Sequence, residues 1–319
     1  MWRQFIKKSV AYDGRSGVSI DDSRIAFAYV QREKDGTLRL DAAAFDKDAN
    51  EEAWVHGLVA QVDGLDPARS PVTSVLPDGS YQLLLVEVPK VPTNEIKSAV
   101  RWQIKDLLDF PVDETAIEMF EMPEQSTAGY KSMAYAVATR RISIQEHIEL
   151  LHGAGFTLDA IDIPELCTRN IATLLPQDAD GVAFLHFTEN HGILTVTRQG
   201  VLYHIRRINK RHREISSDST DDFARTELVS TIVLEVQRSL DYYENHFDRR
   251  NRGPLSELVL APGSDIGGLA KSLHEQLGLT VSNLDLNRLF EMQSAMSPQE
   301  QGDCLLAVGA ALRSEPLAA

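Results

Sequence analysis

The stretch GVSIDDSRIAFAYVQREKDGTLRLDAAAF, residues 17–45, decides the fold. Val18 and Ile20 alternate with small polar residues. Ile25, Phe27 and Tyr29 alternate again, and Leu38 and Leu40 do so a third time. Side chains on a strand point to opposite faces in turn, so apolar residues at every second position mark strands with one buried face. Asp21-Asp22 and Asp35-Gly36 interrupt the runs as turn signals. The pattern predicts three consecutive antiparallel strands. A second stretch, GVAFLHFTENHGILTVTRQGVLYHIRR at 181–207, opens the same way, with strands at 181–187, 192–198 and 201–207 and Gln199-Gly200 as a tight turn. The polar segment 176–181, with its Pro and Gly, separates the two. The chain is therefore a duplicated α/β protein. It is neither a short-period repeat array nor a continuous βαβ winding.

Outward from these stretches, 51–62 predicts an amphipathic helix through Trp54, Leu58, Val59 and Val62, and 74–76 and 82–88 predict strands. Ile96, Val100, Ile104 and Leu107 place one face of a helix that ends before Pro111, with Thr93 or Asn94 as its cap. Strands at 114–122 and 132–139 complete a small subdomain. Then come a helix at 142–154 stopped by Gly155, a strand at 158–163 and a helix at 165–175. In the second half Leu228, Ile232, Val236, Leu240, Tyr243 and Phe247 predict a long helix over 226–247. A strand at 257–261, a helix through Ile266, Leu269, Leu273 and Leu277, a strand at 280–284 and an alanine-rich helix at 304–312 follow. Residues 1–9 carry Trp2, Phe5 and Ile6 among Arg3, Lys7 and Lys8. They read as a frayed terminus ahead of a short amphipathic segment that touches a membrane or partner.

The 319 residues carry a formal charge of −15 with a pI near 5.0, which argues against nucleic-acid binding, since phosphate contacts need a cationic face. Cys167 and Cys304 stand far apart in apolar stretches and read as buried, reduced thiols. No run approaches the ~18 apolar residues of a membrane span, and 1–30 has no apolar signal core. A cytoplasmic protein is expected. Neither G-x-x-x-x-G-K-[ST] nor G-x-S-x-G occurs.

Several strings resemble the PilM/MshI family of type IV pilus assembly proteins. Gly17-Val18-Ser19-Ile20-Asp21-Asp22-Ser23 resembles the Gly-Ile-Asp-Ile-Gly-Ser-like strand and turn that opens PilM-type chains. Ala99-Val100-Arg101-Trp102, leading to Asp109-Phe110-Pro111-Val112-Asp113-Glu114, resembles the A-x-x-W helix and PFPLDE phrase of that family's inserted subdomain. Ala160 to Glu165, Arg238-Ser239-Leu240-Asp241-Tyr242-Tyr243 and Leu258 to Ser264 match further family segments in order. The resemblance implies a duplicated, bilobed actin-like (ribonuclease H-like) ATPase fold with a small inserted subdomain in the first lobe. Its lobes are expected at 1–176, with the insertion at roughly 90–140, and at 177–319, with a last helix over 304–314 returning to the first lobe. The cytoplasmic domain of GspL, from type II secretion, is the related family.

The resemblance also implies nucleotide loops. Two glycine-containing turns must let backbone approach the phosphates, because a side chain there would collide, and an acid in each lobe must hold Mg²⁺. Here Asp21, Asp22 and Ser23 stand in the first turn, where a carboxylate repels a triphosphate by several kcal/mol at ~4 Å. Thr188 and Glu189 stand in the second, where the family carries glycine, and His186 replaces the acid. Gly263 and Ser264 keep the adenosine loop, beside Pro262. His186 with His191 is a weaker reading as a metal pair, lacking a third ligand nearby. The expectation is a non-enzymatic scaffold with no catalytic residues, needing neither ATP nor Mg²⁺. It is expected at the inner face of the inner membrane, binding the cytoplasmic tail of a PilN-like inner-membrane protein in a groove of the first lobe. It would reach the membrane only through partners. The alternatives are an ATP-binding switch of the same machinery, a GspL-like component of type II secretion, and a carbohydrate or acid kinase. The basic run 204–213 reads as a solvated strand edge ahead of an anion-docking patch.

Overall fold

The computed structural model describes residues 14–21, 24–46, 70–123, 131–188, 190–210, 222–247, 254–264 and 268–313. The two opening stretches do form matched sheets. In the first, β1 (Gly14–Ile20), β2 (Arg24–Arg32) and β3 (Leu38–Asp46) pair antiparallel. β4 (Val72–Val75) and β8 (Leu158–Asp162) extend the sheet in parallel, giving the order β3-β2-β1-β4-β8. In the second, β9 (Val182–Phe187), β10 (Gly192–Arg198), β11 (Val201–Ile208), β12 (Glu257–Leu260) and β13 (Thr280–Asn283) repeat that arrangement as β11-β10-β9-β12-β13. Position for position the two orders are the same. The expected Gln199-Gly200 turn has both residues at positive φ, 51° and 75°, as a two-residue hairpin turn of the I′ type requires.

Between β4 and β8 a third sheet is inserted: β5 (Tyr81–Glu87), β6 (Thr115–Glu121) and β7 (Met133–Arg140), ordered β5-β7-β6. Helix α1 (Ile96–Ile104) covers it, laying Val100 and Ile104 on Val86, Ile117, Ala134 and Ala136. Here the structure corrects the sequence reading. Thr93 and Asn94 do not cap α1; they form a 3-10 turn, Thr93–Glu95, that leaves Pro92 and passes directly into the helix. The helix in turn ends at Ile104 in a second 3-10 turn, so Leu107 swings off the apolar face and is 59% exposed. Tyr135 of β7 reaches the second lobe. Its hydroxyl accepts from Ile205 N at 3.0 Å and lies 3.4 Å from Ile205 O, on the open edge of β11.

The remaining helices are α2 (Arg141–Gly153), α3 (Pro164–Ala172), α4 (Asp222–Phe247), α5 (Leu269–Leu277), α6 (Leu286–Leu289) and α7 (Pro298–Ala311). α4 begins before the expected 226. α7 begins well before 304, because its first turn is polar and hides from apolar periodicity. Its start is a capping box: Ser297 Oγ accepts from Glu300 N at 3.3 Å, and Glu300 Oε2 accepts from Ser297 N at 2.7 Å, with Pro298 at the first helical position. The predicted helix at 51–62, the segment 1–9 and Ile266 lie outside the described residues. Among the described residues no helix is long and apolar enough to cross a membrane. Cys167 and Cys304 are free and buried.

One apolar cluster joins the lobes. It combines Ala28 and Leu40 of the first sheet, Ile171 of α3, Phe184 and Val259 of the second sheet, and Leu305 and Val308 of α7. Two glycines permit its packing. A Cβ on Gly17 would stand 1.9 Å from Ala307 O, and one on Gly309 would stand 2.4 Å from Cys167 O. β1, α7 and α3 therefore meet backbone to backbone. Asn170 Nδ2 also donates to Gly309 O at 2.8 Å. Gly17→Ala and Gly309→Ala are each expected to lower unfolding free energy by about 1–3 kcal/mol or more, through overpacking against backbone that cannot move aside. Gly153→Ala, a helical position with open space around it, should be neutral or stabilising by up to ~1 kcal/mol. Urea denaturation of the three variants checks this.

Candidate functional site

The lobes enclose a cleft of about 250 Å³, lined by the three loops that the sequence singles out. The β1–β2 turn contributes Ser19, Asp21 and Arg24. The β9–β10 turn contributes His186, Thr188 and Asn190, and the loop after β12 contributes Pro262 and Gly263. Asp78, on the turn after β4, and Gln299 and Asp303 of α7 complete the walls.

Both hairpin turns use their own side chains on their own backbone. Asp21 Oδ1 accepts from Arg24 N at 2.6 Å, while Asp21 N donates to Arg24 O at 3.0 Å. The Arg24 guanidinium then pairs with the Asp303 carboxylate, which also takes Gln299 Nε2 at 2.9 Å. In the second turn Thr188 Oγ1 accepts from His191 N at 3.1 Å and Asn190 N at 3.3 Å. Its single proton faces two acceptors, His191 O at 2.9 Å and Asp78 Oδ2 at 3.0 Å. Backbone N–H groups of both turns are thus engaged from within.

Asp21, Thr188 and Gly263 all reach the cleft. Gly263 has φ +75°, with open space where a Cβ would stand. Ser264 is buried behind it, 1% exposed, and does not line the cleft. Asp22, Ser23 and Glu189 lie outside the described residues. Asp78 escaped the sequence reading. Pro77-Asp78-Gly79 looks like any turn, and Thr188, its partner, lies 110 residues away. His191 Nδ1 is 3.0 Å from Asp78 Oδ2. Burial pushes the Asp78 carboxyl up, but the hydrogen bond and charge of His191, with Thr188 and Arg207, outweigh it and hold Asp78 below the usual carboxylate value. Among the described residues no group of three or more His, Cys, Asp or Glu could hold a metal ion.

Behind Asp78 a buried ion pair joins α3 to β11. Glu165, fully buried, accepts from Arg207 Nε at 2.8 Å and from the Tyr81 hydroxyl at 2.6 Å, and the Arg207 guanidinium sits 4.7 Å over the Tyr81 ring. Burial and the neighbouring Glu165 charge push the Tyr81 hydroxyl well up. The basic run is therefore not a plain solvated edge. Arg206 pairs with Glu235 at 2.5 Å, Arg207 with Glu165, and the His204 ring lies tilted against Tyr242 with centroids 4.8 Å apart. Residues 211–213 lie outside the described residues.

The fold is similar to that of a solved chain of a PilM–PilN type IV pilus biogenesis complex. That match covers 94% of this chain and 98% of that one, at 20% identity and a TM-score of 0.69. The chain has the actin-like ATPase fold. Lower similarity extends to the cytoplasmic domain of EpsL, an inner-membrane component of the type II secretion system of Vibrio cholerae (12% identity, 94% and 95% covered, TM-score 0.49). It also extends to a Bacteroides thetaiotaomicron protein of unknown function described as having an actin-like ATPase fold (10% identity, 88% and 93% covered, TM-score 0.46). No family model matches the sequence, and no curated protein matches it.

Two predictions follow from the polar groups within this actin-like frame. Arg207→Ala leaves Glu165 charged, buried and unpaired, and should destabilise the protein by about 3–5 kcal/mol in denaturant unfolding. His147, 2.6 Å from Ser74 Oγ, and His204 are both pushed down by burial, from 6.5 to about 4. A lowered histidine stabilises the fold above its unfolded value and loses that contribution as pH falls. Unfolding free energy should therefore drop by a few kcal/mol, in order of magnitude, between pH ~6.5 and ~4. His147→Gln should flatten that slope.

Proposed function

We propose that this protein is a scaffold of type IV pilus assembly that does not hydrolyse ATP. It works at the inner face of the inner membrane, where it binds the cytoplasmic tail of a PilN-like membrane protein. The observation that carries this reading is end-to-end correspondence with a chain of the PilM–PilN complex, 94% against 98% at a TM-score of 0.69. The cleft supports the non-hydrolysing part. Phosphate binding in such a frame needs free backbone N–H groups and little negative charge. This cleft offers turns that cap themselves through Asp21 and Thr188, and walls carrying Asp21, Asp78 and Asp303. The altered first turn supports a reading of the chain as MSHA-type, MshI-like, within that family.

Calorimetric titration of the full-length protein with Mg-ATP tests this. No saturable heat is expected at millimolar ATP, whereas a peptide of the PilN-like tail should bind saturably with an affinity that Mg-ATP leaves unchanged. Tight ATP binding that alters the peptide affinity would overturn the scaffold in favour of a nucleotide switch.

A further inference from the structure

The cleft already contains an anion, and it belongs to the chain. Asp78 leaves the first lobe on the turn after β4, and its carboxylate ends at the β9–β10 turn of the second. Oδ2 lies 3.0 Å from His191 Nδ1 and 3.0 Å from Thr188 Oγ1. The Asp78 side chain is 12% exposed and that of His191 8%. An enclosed carboxylate is costly unless donors and positive charge surround it. Here the second lobe supplies them: the Thr188 hydroxyl, the His191 ring and the nearby charge of Arg207. Arg207 is itself held by Glu165 and Tyr81, and Tyr81 follows Asp78 by three residues. Asp78 and Tyr81 thus both meet side chains of the second lobe, Asp78 through Thr188 and His191 and Tyr81 through its ring beneath the Arg207 guanidinium.

We propose that Asp78 is a built-in anion that clamps the two lobes together across the cleft, supplying from within the negative charge that a bound phosphate would bring. The β9–β10 turn meets a carboxylate on a short side chain, so closure requires no ligand. The Thr188 hydroxyl is the joint of the clamp. It accepts from the turn's own Asn190 and His191 N–H groups and faces Asp78. The clamp follows from the lobe contacts alone and holds whatever partner the protein binds.

Hydrogen exchange on the full-length protein tests it. Asp78→Asn, which keeps the shape and removes the charge, and Thr188→Val, which removes the hydroxyl, should each speed exchange over 186–193. The expected rise is about tenfold or more, the effect of losing a hydrogen bond to a charged group. Exchange in α4 should stay within about twofold of the unaltered protein. In Asp78→Ala, millimolar inorganic phosphate should restore protection of 186–193, while leaving the unaltered protein unchanged. Unchanged exchange at 186–193 in both variants, an equal rise across both lobes, or no effect of phosphate on Asp78→Ala would each overturn the clamp.

Discussion

The structure depends on one close approach, that of α7 to β1 on one side and to α3 on the other. Helices and strands ordinarily keep side chains between them. Here Gly17 and Gly309 remove those side chains, and backbone meets backbone. The consequence is larger than the contact. α7 is the last described helix, yet it lies on the first lobe's sheet and within the apolar cluster that also holds Phe184 and Val259 of the second. One apolar cluster therefore spans both lobes, and α7, which helps to form it, also lines the cleft. The capping box at Ser297 and Glu300 fixes where α7 begins, and so where Gln299 and Asp303 stand on the cleft wall.

The cleft shows how a ligand site closes in on itself through ordinary hydrogen-bond accounting. Every turn N–H needs an acceptor. In this cleft the acceptors come from the turns themselves. Short oxygen-bearing side chains serve the turns directly, Asp21 in the first and Thr188 in the second. Neither residue disturbs the hairpin, because Asp and Thr are themselves good turn formers. The turn N–H groups are satisfied from within while the hairpins keep their geometry.

Much of this was legible in the sequence. Period-two alternation marked the three strands of the first meander and the restart at 181–207 marked the second, although β9 and β10 are buried on nearly every residue, and the Gln199-Gly200 turn was explicit. The actin-like fold was recoverable because the same pattern occurs twice. What stayed hidden had physical reasons. The start of α7 is polar, with Gln299, Glu300, Gln301 and Asp303 in its first turns, so apolar spacing is silent there. Leu107 fits the helical period, but the chain leaves the α-helix at Ile104. Arg206 and Arg207 look like a solvated patch, yet they point to opposite faces of β11 and find Glu235 and Glu165 in distant elements. Asp78 has no local signature at all. Its role exists only because the two lobes meet.

The Tyr135 hydroxyl has a further consequence. β11 ends its sheet, and an end strand offers unpaired N–H and C=O groups to any extended chain that passes. At Ile205 both groups face one phenol oxygen from the inserted subdomain. The subdomain therefore acts as a stopper on that rim. A protein with the insertion cut away would expose a template for strand-to-strand stacking between copies, and the first cost of removing it would be solubility.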